Sequence, residues 1–177
     1  MLKGAVAKRY AQALFDVGKE QGLLDQFLGD LNYLSQIVAH PALARTMENP
    51  KIPFSTKSDL VRRFLGDRSP YFLSFVDMVI SKERVSVADG IRDSYQRLLN
   101  SDRGIAVAKV TTAVPLEEDD KERLAQRLSE ITGKNVTLEL NVDPAILGGL
   151  VVRIGDRVID GSVISKLKAL RAELAGA

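Results

Sequence analysis

Four consecutive carboxylates form the densest group of potentially reactive side chains in this sequence of 177 residues: Glu117, Glu118, Asp119 and Asp120. Clustered carboxylates can bind a hard divalent cation or act together as a general acid and base. The same four residues also begin a predicted helix, where negative side chains interact favourably with the helix dipole. We therefore interpret them as a helix start, and an enzyme with a carboxylate site at 117–120 is kept as an alternative.

Other catalytic and metal-binding groups are scarce. The chain has no cysteine and a single histidine, His40, which precedes Pro41 at a predicted helix end. The lack of cysteine excludes a disulfide framework, a thiolate zinc site and a cysteine nucleophile. The sequence contains no phosphate-binding loop, dinucleotide fingerprint, HExxH pair or calcium loop. It predicts a protein that is not an enzyme and that holds neither a cofactor nor a metal.

Two basic clusters point to a different class of function, the binding of nucleic acid: Arg62, Arg63 and Arg68 in one, and Lys166, Lys168 and Arg171 in the other. The overall charge is nearly balanced, however, with 25 basic and 23 acidic residues. Proteins that bind mainly by neutralising phosphates have a larger basic excess. Solvated helix faces are therefore the preferred interpretation, and a nucleic-acid-binding module using basic helix faces is the alternative.

The chain has two halves of different composition. Its four tyrosines and six phenylalanines all lie before position 104, and residues 104–177 are instead rich in valine, isoleucine, leucine and glycine. Such a shift in composition is typical of a domain boundary. We predict an N-terminal domain over 1–104 and a C-terminal domain over 105–177.

The N-terminal half has the apolar periodicity of helices throughout. Thr56 with Asp59, and Ser86 with Asp89, resemble capping boxes that begin two of these helices. Ser69 followed by Pro70 is typical of a further helix start. The predicted helices are 5–21, 24–38, a short one at 42–47, 56–65, 70–82 and 86–103. The short loops between them predict an all-α antiparallel bundle of about six helices.

The C-terminal half alternates between strand and helix patterns. Predicted strands cover 105–114, 135–142, 148–154 and 157–159, and a helix covers 116–132. Ser162 is predicted to cap a final helix with four apolar residues on its inner side: Val163, Leu167, Leu170 and Leu174. Together these elements predict a small α+β domain.

The predicted helix at 70–82 has more apolar residues than one buried stripe requires, since eight of the ten positions from Tyr71 to Ile80 are apolar. The first helix has a second stripe of mostly small residues: Ala7, Ala11, Leu14, Phe15 and Gly18. One interpretation is that both helices are wrapped by their own bundle. The other is that they line a groove for an amphipathic helix from another protein.

Several segments carry residues in a distinctive order. Between Val136 and Ser162 lie Val142-Asp143, Gly148-Gly149, Arg153, Gly155-Asp156 and Asp160-Gly161-Ser162. The stretch 6–22 and the run Lys82-Glu83-Arg84 add to the pattern. In these features the chain resembles the delta subunit of bacterial F-type ATP synthase, which is related to the mitochondrial oligomycin-sensitivity-conferring subunit. The resemblance covers nearly the whole chain.

The resemblance implies a non-catalytic subunit of the peripheral stalk, or stator. Such a subunit links the alpha/beta catalytic head to the b-type stalk and resists the torque of the rotor during proton-driven ATP synthesis. It also implies a peripheral location at the cytoplasmic face of the bacterial cell membrane, through the complex only. In agreement, no apolar run approaches the ~18 to 20 residues that cross a bilayer, and no secretory signal is expected.

The resemblance further implies two partner sites. An N-terminal helical segment of an alpha subunit is expected between helices 5–21 and 70–82, at Val6, Tyr10, Ala11, Leu14, Val17, Phe75, Met78, Val79 and Lys82. The C-terminal end of the b-type subunit is expected on the C-terminal domain, at Gly149, Val151, Arg153 and Asp160.

Overall fold

The computed structural model describes residues 2–175 and begins with a series of helices. A short 3-10 helix, Val85–Val87, precedes the last helix of this series. The helices before the first strand are α1 (Leu2–Gln21), α2 (Leu24–Ala39), α3 (Pro41–Glu48), α4 (Phe54–Leu65), α5 (Pro70–Ser81) and α6 (Ala88–Asp102). They lie where the apolar periodicity predicts helices, and their arrangement as one antiparallel bundle stays a prediction.

Two predicted helix starts are wrong. α4 begins at Phe54, before Thr56, because Pro53 occupies the N-cap position, where its missing N–H costs nothing. α6 begins only at Ala88, after the 3-10 helix. The Asp89 carboxylate does not complete the predicted capping box but accepts a hydrogen bond from the Ser35 hydroxyl of α2. Neither predicted capping box therefore marks the start of its helix.

The chain divides into two compact units, one up to Leu99 and one from Asn100 onward. Tyr95, Phe27 and Phe72 are the bulkiest fully buried side chains of the N-terminal unit, whose apolar core is large. The Tyr95 hydroxyl donates a hydrogen bond to the Leu24 carbonyl oxygen at 3.1 Å, so its polar end is satisfied as well. The domain limits at 104 and 105 stay a prediction, and positions 1 and 177 lie outside the described residues.

The C-terminal unit combines a four-stranded mixed sheet with helices. Its elements are β1 (Ile105–Thr112), α7 (Glu118–Thr132), β2 (Asn135–Val142), β3 (Leu150–Ile154), β4 (Arg157–Asp160) and α8 (Val163–Ala175). The strand order is β2-β1-β3-β4, in which β1 and β2 are parallel and the other two pairs are antiparallel. This confirms the predicted change from helices to a small α+β unit.

The core of the C-terminal unit is small. Its buried apolar residues are Ala108, Val110 and Val152 of the sheet and Leu128 of α7. These three strand residues lie on one face of the sheet, because Val110 pairs with Val152 and residues two apart on a strand share a face. α7 therefore packs on that face through Leu128.

Candidate partner-binding surfaces

α1 uses its stripe of small residues inside the N-terminal unit. Ala7, Ala11, Leu14 and Phe15 are buried in the core. Gly18 is buried too, and a Cβ at this position would lie 3.0 Å from Phe27 and from the Tyr95 hydroxyl, so only a glycine packs here without displacing its neighbours. The interpretation of this stripe as a surface for a partner backbone is therefore wrong.

α5 is apolar on nearly all sides, but only part of that surface is buried. Tyr71 and Met78 are 49% and 40% exposed. Their spacing of seven residues places them two turns apart on the same side of the helix. Lys82 follows one turn later, is exposed, and donates its backbone N–H to the Met78 carbonyl oxygen at 3.2 Å. α5 thus presents two exposed apolar residues, with the exposed Ser74 between them, and a basic residue at its end.

An aromatic contact joins this helix to α1. The rings of Tyr10 and Phe75 meet edge to face, with centroids 6.3 Å apart and planes at 74°. Tyr10 is half-buried, like Val6 and Val17 on the same helix, and all three pack against the core. We call the exposed and half-exposed residues on the two sides of this contact the α1–α5 surface: Val6, Tyr10, Val17, Tyr71, Met78 and Lys82.

The predicted alpha-subunit contacts fall into two groups. Val6, Tyr10, Val17, Met78 and Lys82 are accessible and belong to the α1–α5 surface. The other four are buried, so they support this surface from beneath instead of lining it: Ala11, Leu14, Phe75 and Val79.

Helix geometry explains this correction. Neighbouring residues on an α-helix point about 100° apart, so Ala11 and Val79 point inward where Tyr10 and Met78 do not. Tyr71 was missed by the sequence reasoning, although its spacing of seven residues from Met78 was a signal that could have found it.

Asp77 ties the neighbouring side of α5 to α4. Its carboxylate accepts a hydrogen bond from the Ser58 hydroxyl at 2.6 Å and forms an ion pair with Arg62. Burial raises the pKa of Asp77, but hydrogen bonds from Arg62 and Ser58 outweigh burial and bring the pKa below its ordinary value. Because Asp77 precedes Met78 on the helix, this tie helps to fix the rotation that leaves Met78 exposed.

The charged clusters singled out in the sequence have local roles. Glu118 lies in the first turn of α7 with two further acidic residues, and Lys121 donates a hydrogen bond to it at 2.6 Å. Within residues 2–175, no group of three or more histidine, aspartate or glutamate side chains is arranged to hold a metal ion. Arg62 and Arg68 are ion-paired with Asp77 and Asp30. Two of the three arginines in that basic cluster are therefore engaged by carboxylates.

Gly149, a predicted b-type contact, has a local role in the C-terminal unit. Its φ is +76°, and a Cβ there would lie 2.3 Å from the Gly161 carbonyl oxygen. Only a glycine fits such a conformation and such a close backbone approach. Gly149 therefore joins the start of β3 to the end of β4, and its contact with a partner stays a prediction.

Asp160 organises the start of α8. Its carboxylate accepts hydrogen bonds from the Ser165 hydroxyl at 2.7 Å and from the Ser162 backbone N–H at 2.9 Å. These hydrogen bonds, from Ser165 first and then Ser162, lower the pKa of Asp160. The Ser162 hydroxyl accepts from the Ser165 N–H at 3.3 Å, which confirms the predicted cap. The run Asp160-Gly161-Ser162, which is part of the family resemblance, thus has a structural role at the start of α8.

Three of the predicted b-type contacts share one face of the sheet. Val151 pairs with Asp160 across the β3–β4 ladder, and Arg153 lies two residues further along β3. Val152 between them points to the opposite face, where α7 packs. Arg153 pairs with Lys109, which forms an ion pair with Glu139 at 3.5 Å. This face is therefore mostly polar and charged.

α8 exposes the four apolar residues that the sequence places on its inner side. Their exposed fractions are 40, 52, 53 and 73%, for Val163, Leu167, Leu170 and Leu174 in that order. The inward assignment is therefore wrong, since none of the four belongs to the buried core of the C-terminal unit. Spacings of four, three and four residues are those of a coiled-coil seam. We call these four residues the α8 seam.

With this geometry established, comparison with known proteins identifies the family. Residues 6–174 match the family model described as the ATP synthase delta (OSCP) subunit. The chain belongs to this delta (OSCP) family. This match confirms the resemblance seen in the sequence over nearly the whole chain.

Delta-family relatives from several bacteria support the assignment. The ATP synthase subunit delta of Heliobacterium modesticaldum is 43% identical over 176 residues, covering 98% of this chain and 95% of the relative. That of Salinibacter ruber is 40% identical over 176 residues, covering 98% and 93%. In a structure of the Toxoplasma gondii mitochondrial ATP synthase hexamer, one chain matches with a TM-score of 0.68 at 18% identity, covering 99% of this chain and 98% of that one. The similarity to this solved structure shows that the two chains share a fold.

Membership in the delta family establishes the general function. The chain is a delta-type subunit of F-type ATP synthase and a component of its peripheral stalk. It is a structural subunit and not the catalytic one. Across residues 2–175, no helix is both long and apolar enough to span a membrane.

Proposed function

We propose that this delta-family chain joins the catalytic head of F-type ATP synthase to the stalk through two surfaces. The N-terminal domain, 1–104, acts as an antiparallel bundle of about six helices and binds an N-terminal helical segment of an alpha subunit. The C-terminal domain, 105–177, binds the C-terminal end of a b-type subunit. The chain thereby resists rotor torque, and it reaches the cytoplasmic face of the membrane only through the complex.

The observation that carries the alpha-subunit proposal is the exposure of Tyr71 and Met78 beside the Tyr10–Phe75 contact. An amphipathic helix recognises such a surface through apolar residues spaced three and four apart. The floor of the surface is already packed, so little ordering is needed on binding, and ordering costs are what subtract most from apolar burial. A long-lived attachment under torque requires slow dissociation, which well-packed apolar contacts supply.

Titration of the full-length chain with a peptide copying the N-terminal segment of the alpha subunit tests this site. Amide signals of α1 and α5 should shift, and Met78→Asp should weaken binding at least about a hundredfold, or roughly 3 kcal/mol, because it replaces apolar burial by a buried charge. Phe64→Asp is the matched control, since Phe64 is 50% exposed on α4 outside the α1–α5 surface. Equal affinity of both variants and the parent would refute the site.

The α8 seam supports a b-type contact at the C-terminal unit. Its four apolar residues are exposed, and Lys166, Lys168 and Arg171 lie beside them on the helix. A helix with an apolar face and acidic flanking residues complements such a seam, because charged flanking positions select coiled-coil partners. The polar face with Val151, Arg153 and Asp160 is the second candidate, since these predicted contacts lie together there.

Two single variants decide between these surfaces. Leu170→Asp introduces a charge into the α8 seam, and Arg153→Asp reverses a charge on the polar sheet face. Binding of a b-type C-terminal segment should weaken about a hundredfold with Leu170→Asp and about threefold with Arg153→Asp, measured by calorimetry. A larger loss of affinity with Arg153→Asp than with Leu170→Asp would assign the contact to the sheet face. If neither variant changes the affinity, both surfaces are excluded as the b-type contact.

A further inference from the structure

Arg68 holds the segment that connects α4 to α5. It lies two residues before Pro70, where α5 begins. Its Nη1 forms an ion pair with Asp30 of α2, and its Nε donates a hydrogen bond to the Leu65 carbonyl oxygen at 3.0 Å. Its guanidinium carbon lies 5.1 Å from the centroid of the Tyr33 ring, a distance typical of a cation–π contact. One side chain thus anchors the start of α5 to both α2 and α4.

The burial of Asp30 makes its ion pair with Arg68 costly to break. The residue is only 1% exposed, although it carries a carboxylate. One of its oxygens pairs with Arg68, and the other has no hydrogen-bond partner within residues 2–175. A buried charge that loses its counterion is strongly destabilising, so the position of the Asp30 carboxylate dictates that of Arg68.

We propose that Arg68 is a positioning residue for the α1–α5 surface. By fixing where α5 begins, the cluster of Asp30, Tyr33 and Arg68 determines where Tyr71 and Met78 lie relative to Tyr10. The ion pair between Arg62 and Asp77 constrains the rotation of the same helix further along. This inference rests on the proposed alpha-subunit site, but Arg68 itself is not placed in contact with the partner.

A pair of variants separates positioning from stabilisation. Arg68→Met alone leaves the Asp30 carboxylate buried without its cation, so the melting temperature should fall. Adding Asp30→Leu removes that charge, and apolar residues that replace a buried ion pair commonly restore stability. If Arg68 only stabilises the unit, affinity for the alpha-subunit peptide returns together with the melting temperature. If it positions α5, the double variant melts like the parent yet binds the peptide about tenfold more weakly.

The lack of native cysteines allows a second measurement that needs no partner. Gln12→Cys on α1 and Ser81→Cys on α5 replace exposed residues and can carry a spin-label pair. In the Arg68→Met, Asp30→Leu background, the distance distribution between the labels should shift or broaden relative to the parent. An unchanged distribution, or full recovery of peptide affinity in that background, would overturn the positioning role. Failure of the parent chain to bind the peptide would instead refute the proposed alpha-subunit site, while the spin-label result would still test the geometry.

Discussion

The two units differ in how completely each buries its own apolar residues. The N-terminal unit encloses several aromatic side chains in one large core, and its exposed apolar residues include Tyr71 and Met78 of α5 besides Phe54 and Phe64 of α4. The core of the C-terminal unit contains four buried apolar residues, and α8 leaves its apolar side open. The first unit therefore presents its exposed apolar residues above a large packed core, whereas the second has a small core and exposed apolar residues on α8 and elsewhere.

This difference suits the proposed tether, in which the first unit binds the head and the second binds the stalk. A surface that is already formed loses little binding energy to ordering, which favours a long-lived attachment to the head. A unit that is completed by its partner is stabilised by binding, so its folding and its attachment are linked. When both ends are engaged in one complex, each attachment also raises the effective concentration of the other.

The largest expected effect is the difference in stability change between a substitution in the core of the first unit and one on α8 of the second. Tyr95→Ala should destabilise the N-terminal unit by about 3–5 kcal/mol, because it leaves a cavity where a fully buried aromatic ring packs. Leu170→Ala should change stability by less than ~0.5 kcal/mol, because the side chain is already about half exposed. Since every tyrosine lies before position 104, tyrosine fluorescence during urea unfolding reports on the N-terminal unit, and circular dichroism reports on both. A cost above ~2 kcal/mol for Leu170→Ala would show that α8 is packed in the free chain.

A smaller effect is expected from a glycine pair in the C-terminal unit. Gly149→Ala forces a side chain into a positive φ and against the Gly161 carbonyl oxygen, so it should destabilise this unit by about 3 kcal/mol. Gly155→Ala is the matched control, because its φ is +57° but a Cβ there meets no atom within 4 Å, and only ~1 kcal/mol is expected. Hydrogen exchange of the β3 amides measures both. Equal losses would mean that the contact between Gly149 and Gly161 contributes nothing.

The sequence was sufficient for the elements and insufficient for some of their limits. Period and composition predicted every α-helix and strand described above, but not the 3-10 helix Val85–Val87, because only the former have a pattern that follows directly from the geometry of the element. The starts of α4 and α6 were missed because α4 begins after Pro53 without a side-chain cap and because the Asp89 carboxylate accepts a hydrogen bond from Ser35 of α2. The latter contact is between residues far apart in sequence, and no local pattern contains it.

The α1–α5 surface could be predicted as a candidate region but not as a list of residues, and the α8 seam was not predicted as a surface. An almost uniformly apolar helix such as α5 does not indicate which side its neighbours cover, so Val79 and Met78 could be separated only by the packing of the N-terminal unit. For α8 the amphipathic pattern was correct and its interpretation was wrong. Leu170 has the same periodicity whether the apolar side meets the chain's own core or a partner, and sequence alone does not distinguish the two.

The smallest expected effect concerns acid stability. Hydrogen bonds lower the pKa of Asp77 in the N-terminal unit and of Asp160 in the C-terminal unit. Their pKa values lie below the ordinary value of about 4, so each contributes stability above that pH, and the contribution is lost as pH falls through the lower pKa of the folded state. Asp77→Asn should therefore reduce the loss of stability below about pH 4 by less than ~1 kcal/mol, because Arg62 and Asp77 remain partly solvated. Urea unfolding followed by tyrosine fluorescence at about pH 3 and pH 7 measures this, with the exposed Asp67→Asn between α4 and α5 as control. An identical pH dependence in parent and Asp77→Asn would show that the ion pair to Arg62 does not hold α5 in solution.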